Sequence, residues 1–138
     1  MIQDSQIKDI LTRTRRIALV GASANPARPS HDVMQFLLSK GYDVVPVNPG
    51  LAGQTLLGKQ VVARLDDIEG DIDMVDIFRR SVHVPQVVDE ALARFPHLGT
   101  IWMQIGVEHE AAAQVARARG VDVVMNRCPK IDYPRLMT

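Results

Sequence analysis

The residues of this 138-residue chain best suited to chemistry are three arginines and a loop rich in small side chains. In VGASANPARPS (20–30), an apolar run ends in Gly21-Ala22-Ser23, and Arg28, Pro29 and Ser30 lead into a helical pattern. Each residue type suits an anion. Glycine lets backbone come close to a ligand, because it has no β-carbon. The two serines offer hydroxyl donors. The first amides of a helix point outward with the positive end of the helix dipole behind them. Arg28 adds a planar guanidinium able to hold phosphate with two hydrogen bonds. The bland alternative is a tight turn at Gly21 and a cap at Ser30. A second basic pair, Arg79-Arg80, follows Phe78 at the end of another apolar run.

These residues need a scaffold that brings them together, and the chain alternates in a way that supplies one. Short β-branched runs at 16–22, 42–48, 72–78, 98–104 and 121–127 take turns with segments of helical period at 30–40, 84–95 and 108–120. A near-continuous apolar run such as RIALVGA is the mark of a strand covered on both faces. An amphipathic helix is predicted at about 3–15, with Ile7, Ile10 and Leu11 on one stripe. Ser30 is read as the N-cap of the helix at 30–40, and Gly41 as its left-handed terminator. Pro85 is tolerated in a first turn. Residues 49–60 read as loop with a small hairpin, 65–69 as a helical turn, and the tail 128–138 as extended. Strand and helix in regular alternation give an α/β fold, a doubly wound Rossmann-like parallel sheet of five strands with helices on both faces. One domain, 1–138, suits this length, which buries roughly two thirds of the unfolded chain's surface. In the Rossmann order the first strand lies beside the fourth, here 72–78, where strand order reverses and ligands bind at the carboxyl ends. Gly21-Ala22-Ser23 and Phe78-Arg79-Arg80 therefore meet at the expected crevice.

Bulk charge points to neither nucleic acid nor membrane. Sixteen basic residues balance sixteen acidic ones, so any anion site must be local. A single cysteine, Cys128, excludes an internal disulfide and a cysteine-rich metal site. The N-terminus lacks the apolar core of a secretory signal, and no run reaches the length of a membrane span. A cytoplasmic protein is expected. His31, His83, His97 and His109 have no second ligand at metal spacing, and caps or surface positions are expected, with His31 closest to the crevice. The acidic run from Asp66 to Asp73 reads as a solvated turn. Trp102 and Met103 read as core or crevice wall. Asp76, inside an apolar strand, is expected in an ion pair, and at least one of the arginines is expected to pair with it or another carboxylate.

The dinucleotide fingerprint asks for G-x-G-x-x-G and an acidic residue closing the second strand. This chain has GASANP, and its second strand ends in Val47-Asn48-Pro49. Both departures weigh against a standard NAD site and leave an NAD(P)-binding regulatory or redox-sensing domain as the alternative reading.

Taken in order, VGASANPARPSHDV, VPVNPG, DIFRRSVHVP, WMQIGV and NRCPK resemble the small single-domain CoA-binding proteins, the YccU-like family. They are also similar to the CoA-binding domain at the N-terminus of the succinyl-CoA synthetase α subunit. The resemblance spans about 12–136. It implies a Rossmann-type domain whose ligand is coenzyme A or an acyl-CoA. Matched residue by residue, Gly21, Ala22 and Ser23 form the first phosphate loop, and Arg28, Pro29 and Ser30 continue it into the helix. Asn48 and Pro49 lie against the nucleotide. Phe78, Arg79 and Arg80 flank adenine and ribose phosphate. Gln104, Ile105 and Gly106 form the turn after the fourth main strand, and Asn126, Cys128 and Pro129 border the far end of the crevice. The synthetases add a second domain bearing a phosphorylated histidine and a nucleotide-grasping partner subunit. The sequence has no counterpart to either, and Arg127 stands where their turn has asparagine. Ligase activity is therefore not implied, and a non-catalytic binding role is expected, with Cys128 placed to meet the thiol of CoA.

Overall fold

A computed structural model describes residues 2–137. The chain runs α1 (Asp4–Arg13), β1 (Arg16–Val20), α2 (Pro29–Ser39), β2 (Asp43–Val47), β3 (Thr55–Leu56), β4 (Lys59–Gln60), β5 (Met74–Ile77), α3 (Val84–Arg94), β6 (Thr100–Met103), α4 (Glu110–Ala118), β7 (Asp122–Val124) and α5 (Pro129–Leu136). Five strands form one parallel sheet in the order β2-β1-β5-β6-β7. The small antiparallel pair β3–β4 is the hairpin expected in the glycine-rich loop. No described helix is long and apolar enough to cross a membrane.

Side-chain alternation explains why both faces are covered. Along β1, Ala18 and Val20 join Val75, Ile77, Ile101 and Met103 under α3 and α4. Their neighbours Ile17 and Leu19 join Met74 and Trp102 under α1, α2 and α5. Successive strand residues point to opposite faces, so a strand buried on both must be apolar throughout. Thus Trp102 and Met103 are core, and Trp102 donates its indole N–H to the Arg127 carbonyl at 2.9 Å.

The strand order brings β1 and β5 side by side, with β2 on the other flank of β1. The order reverses there, and the crevice opens above the carboxyl ends of the strands. Gly21 seats the first loop in it. Its amide donates to the Val47 carbonyl at 3.0 Å, and its φ is +93°. A β-carbon there would stand 2.3 Å from the Phe78 carbonyl oxygen.

Two local readings need correction. Ser30 is not the N-cap of α2. Arg28 holds that position with extended backbone (φ −83°, ψ 140°), and Pro29 is the first helical residue. The residue before a proline is pushed out of the helical region, and proline itself suits the first turn. Gly41 does follow α2 in the left-handed region, at φ +90°. The tail is not extended but forms α5, despite Pro134 inside it. Tertiary contacts hold it there. Asp132 is almost fully buried and accepts from Arg127 at 2.9 and 3.1 Å and from Arg135 at 3.0 Å, while Arg135 also reaches Asp4 on α1. Tyr133 packs edge-on against Phe36 and Tyr42.

Candidate functional site

Above the carboxyl ends of the strands lies a cleft in two compartments. The larger, about 1000 Å³, is lined by the first loop, the start of α2, the segments after β5 and β6, and the start of α5. The smaller, about 480 Å³, is lined by Asn48, Pro49 and Gly50 on one side and by His83, Gln86 and Glu90 on the other. Gly21, Asn48 and Arg79 line both. The structure thus brings Gly21, Ala22, Ser23, Arg28, Pro29, Ser30, Asn48, Phe78, Arg79, Arg80, Gln104, Ile105, Gly106 and Cys128 to the larger compartment, and Pro49 to the smaller. Asn126 stands outside both. Its φ is +58°, and its side-chain oxygen accepts from the Gly106 amide at 2.7 Å, which shapes the turn after β6. His31 does not line the cleft either, while His109 caps α4 by accepting from the Ala112 amide.

The first loop is tied down by its own side chains. Ser23 accepts from the Asn25 amide at 3.1 Å, and Asn25 accepts from the Ala27 amide at 3.0 Å. These local turns shape the backbone of residues 23–27. Asn48 joins two loops. Its amide nitrogen donates to the Ala22 carbonyl at 2.7 Å and its oxygen accepts from the Gly50 amide at 2.8 Å. Both ends of that side chain are therefore committed to backbone. Because Pro29 rather than Ser30 starts the helix, the Ser30 hydroxyl is not consumed in capping.

Charge in the cleft is uneven. Among the described residues no carboxylate lies within ion-pairing distance of Arg28, Arg79 or Arg80. This corrects the expectation that at least one of them is paired. Elsewhere cations are engaged: Arg13 with Asp9 and Asp122, Arg16 and Lys59 with Asp43, Lys130 with Asp32. Asp32 lines the larger compartment, but the Lys130 ammonium meets it at 2.7 Å. The three exposed guanidinium groups face a concave surface where an anion has no comparable competitor.

Asp76 also departs from expectation. It is fully buried on β5, level with Leu19 and Trp102 in the neighbouring strands. No cation reaches it among the described residues. Instead Gln104 turns its amide nitrogen to the two carboxyl oxygens, at 2.9 and 3.2 Å. Arg79 and Arg80 follow the end of β5 and are exposed. Burial pushes the Asp76 carboxyl well above its ordinary value of 3.8, favouring the protonated form and sparing the cleft floor a negative charge.

The sign of the resulting pH dependence follows from linkage. The folded state holds a proton that the unfolded state releases near pH 3.8, so the contribution of Asp76 to stability is complete below that value. It is lost as pH rises through the raised folded value. In Asp76→Asn, which retains an oxygen to accept from Gln104, that loss is absent. Urea unfolding from pH 4 to 8 will show wild-type stability falling relative to Asp76→Asn as pH rises; parallel curves contradict the assignment.

Several cleft residues escaped the sequence reading: Arg64 and Glu90 in the smaller compartment, Lys130 and Ile131 in the larger. Arg64 precedes a short helical turn (Leu65–Asp67) whose place beside β2 depends on the Val47–Val62 bridge. Nothing local marks it. Lys130 and Ile131 belong to α5, a helix that the local sequence does not announce.

A known family covers this geometry. The family described as CoA binding domain matches residues 15–134. The chain belongs to that family. This CoA binding domain is 39% identical over 129 residues to the uncharacterized protein YneT of Bacillus subtilis (strain 168), covering 94% of this chain and 93% of that protein. It is similar to a solved Thermus thermophilus structure, cell-free ID.343, at 33% identity and a TM-score of 0.91, covering 98% of this chain and 99% of that one. An acetyl-coenzyme A synthetase of Ca. Korarchaeum cryptofilum shares the fold at 23% identity and a TM-score of 0.69, over 83% of this chain and 26% of that one.

Proposed function

We propose that this CoA binding domain holds coenzyme A, free or acylated, across the two compartments of the cleft, without itself catalysing a reaction on it. Three arginines without an ion-pair partner among the described residues, set around a glycine-anchored loop, carry the reading. The diphosphate lies on the backbone of 21–23 and the start of α2, where the helix dipole and the Ser30 hydroxyl meet it. Arg28, Arg79 and Arg80 balance its charge, and guanidinium forks suit phosphate oxygens better than ammonium groups do. The adenosine part occupies the smaller compartment, between Asn48-Pro49 and the segment that leads into α3. Arg64 in that compartment faces the ribose 3′-phosphate. The pantetheine arm runs through the larger compartment toward Cys128.

The two volumes together exceed the usual range for a drug-sized ligand, in keeping with a long, jointed one. Asn48 speaks against the nicotinamide alternative. A dinucleotide site needs an acceptor for the ribose hydroxyls at the end of the second strand, and the Asn48 oxygen is already committed to Gly50.

Thermal unfolding with CoA, acetyl-CoA, NAD and NADP separates the readings. A ligand at a hundred times its dissociation constant stabilises the folded state by about 2.7 kcal/mol, a shift of roughly 5–10 °C for a domain of this size. CoA or acetyl-CoA is expected to give it and the nicotinamide nucleotides to give none. A shift with NAD or NADP alone overturns the proposal.

A further inference from the structure

We propose that Cys128 is a disulfide-exchange site for the thiol end of the ligand in this cleft, so that the domain can carry its ligand covalently; this rests on the CoA reading above. Strand order supplies the geometry. The segments that line the cleft follow β2, β1, β5, β6 and β7 in that spatial sequence, so Asn48, Gly21, Arg79, Ile105 and Cys128 succeed one another across the top of the sheet. The Arg127 amide donates to the Met103 carbonyl at 3.3 Å, so the chain leaving β7 turns back over β6 just before Cys128. The cationic groups thus precede an apolar rim: Ile105 and Ile131 are each 59% exposed and line the larger compartment with Cys128. A ligand that is anionic at one end and carries a thiol on a long arm at the other matches that order.

Cys128 is half-buried and is the N-cap of α5. Its carbonyl accepts from the Ile131 and Asp132 amides, while its sulfur has no hydrogen-bond partner among the described residues. The Lys130–Asp32 bridge at 2.7 Å sets the first turns of α5 and α2 side by side, both opening on this compartment. Ser30, on the α2 side, whose hydroxyl is offered above to the diphosphate, is a second sign that this compartment holds a ligand. It is 5% exposed, it lines the same compartment, and its hydroxyl takes no hydrogen bond from the described residues.

The exchange balances without an external oxidant beyond the ligand's own disulfide. The Cys128 thiol gives up its proton, and its sulfur attacks one sulfur of CoA disulfide. The Cys128–CoA bond forms, the original S–S bond breaks, and the departing CoA takes a proton and leaves as the thiol. Cys128 is oxidised and the departing sulfur is reduced.

The reduced protein is incubated with CoA disulfide or, at equal concentration, glutathione disulfide, and followed by intact-mass spectrometry with peptide mapping. One CoA less two hydrogens is expected on Cys128, at least tenfold faster than the glutathione adduct, and dithiothreitol removes it. Cys128→Ala, checked as folded by circular dichroism, forms no adduct. Calorimetry of the unaltered protein with reduced CoA separates the two failures. If CoA binds but Cys128 stays unmodified, or reacts no faster than with glutathione disulfide, this inference falls and the CoA reading stands. If CoA does not bind, both fall.

Discussion

Arg79→Ala is expected to weaken CoA binding by about 10- to 100-fold while leaving thermal stability unchanged. Arg79 lines both compartments, so it stands where the diphosphate must pass from one to the other. A hydrogen bond to a charged group is worth about 1.5–3 kcal/mol, and each 1.4 kcal/mol is tenfold in affinity. The side chain is exposed and has no hydrogen-bond or ion-pair partner among the described residues, so its removal breaks none of those bonds. Arg28→Ala and Arg80→Ala, which touch the larger compartment alone, are expected to lose less. Arg119→Ala, an exposed cation just past α4 and outside the cleft, is the control and should change affinity less than twofold. Calorimetry at two salt concentrations checks the series. The wild-type affinity should fall more steeply with salt than that of Arg79→Ala, because one screened contact is missing in the variant. Equal affinities for wild type and Arg79→Ala remove the central cation from the proposed site.

Gly21→Ala is expected to be the most damaging single methyl in the chain. A left-handed backbone costs a non-glycine residue roughly 1–2 kcal/mol. Here the new β-carbon also stands 2.3 Å from the Phe78 carbonyl oxygen, and overpacking adds about 1–3 kcal/mol. The segment pushed aside carries Arg79 and Arg80, so CoA binding is lost together with about 2–5 kcal/mol of stability. Gly41→Ala isolates the contact. Its φ is +90°, nearly that of Gly21, but a β-carbon there meets nothing within 4 Å. Only the backbone cost applies, and binding is retained. Urea unfolding of the two variants beside wild type, with calorimetry on each, reads the difference. If Gly21→Ala costs no more than Gly41→Ala, close approach of the first loop to Phe78 is not what shapes the cleft.

Much of the site was legible before folding. Gly21, Arg28, Ser30 and the Arg79-Arg80 pair all line one cleft, because the strand-to-helix turn and the reversal of strand order follow from a pattern visible along the chain. The strand at 72–78 shortens to Met74–Ile77 but lies beside β1 as expected. Errors came where a residue's fate depends on a distant segment. Asp76 looked like half of an ion pair, yet its neighbour is an amide from the turn after the next strand. The tail looked extended because its prolines weaken a helix locally. What overrides them is Asp132 held by two arginines and Tyr133 set against the rings of Phe36 on α2 and Tyr42 just before β2. The same helix brings Lys130 and Ile131 to the cleft, so the missed helix and the missed wall residues have one cause.

The sequence by itself determined the alternation of strand and helix, the need for glycine at the first turn and the gathering of cations at the crevice, since periodicity, backbone conformation and residue charge are local properties. Tertiary structure alone decided which cations stay unpaired, what solvates Asp76, how far the cleft extends and which hydroxyl remains free inside it. Those outcomes depend on which remote groups come within hydrogen-bonding distance, and only the folded chain sets that.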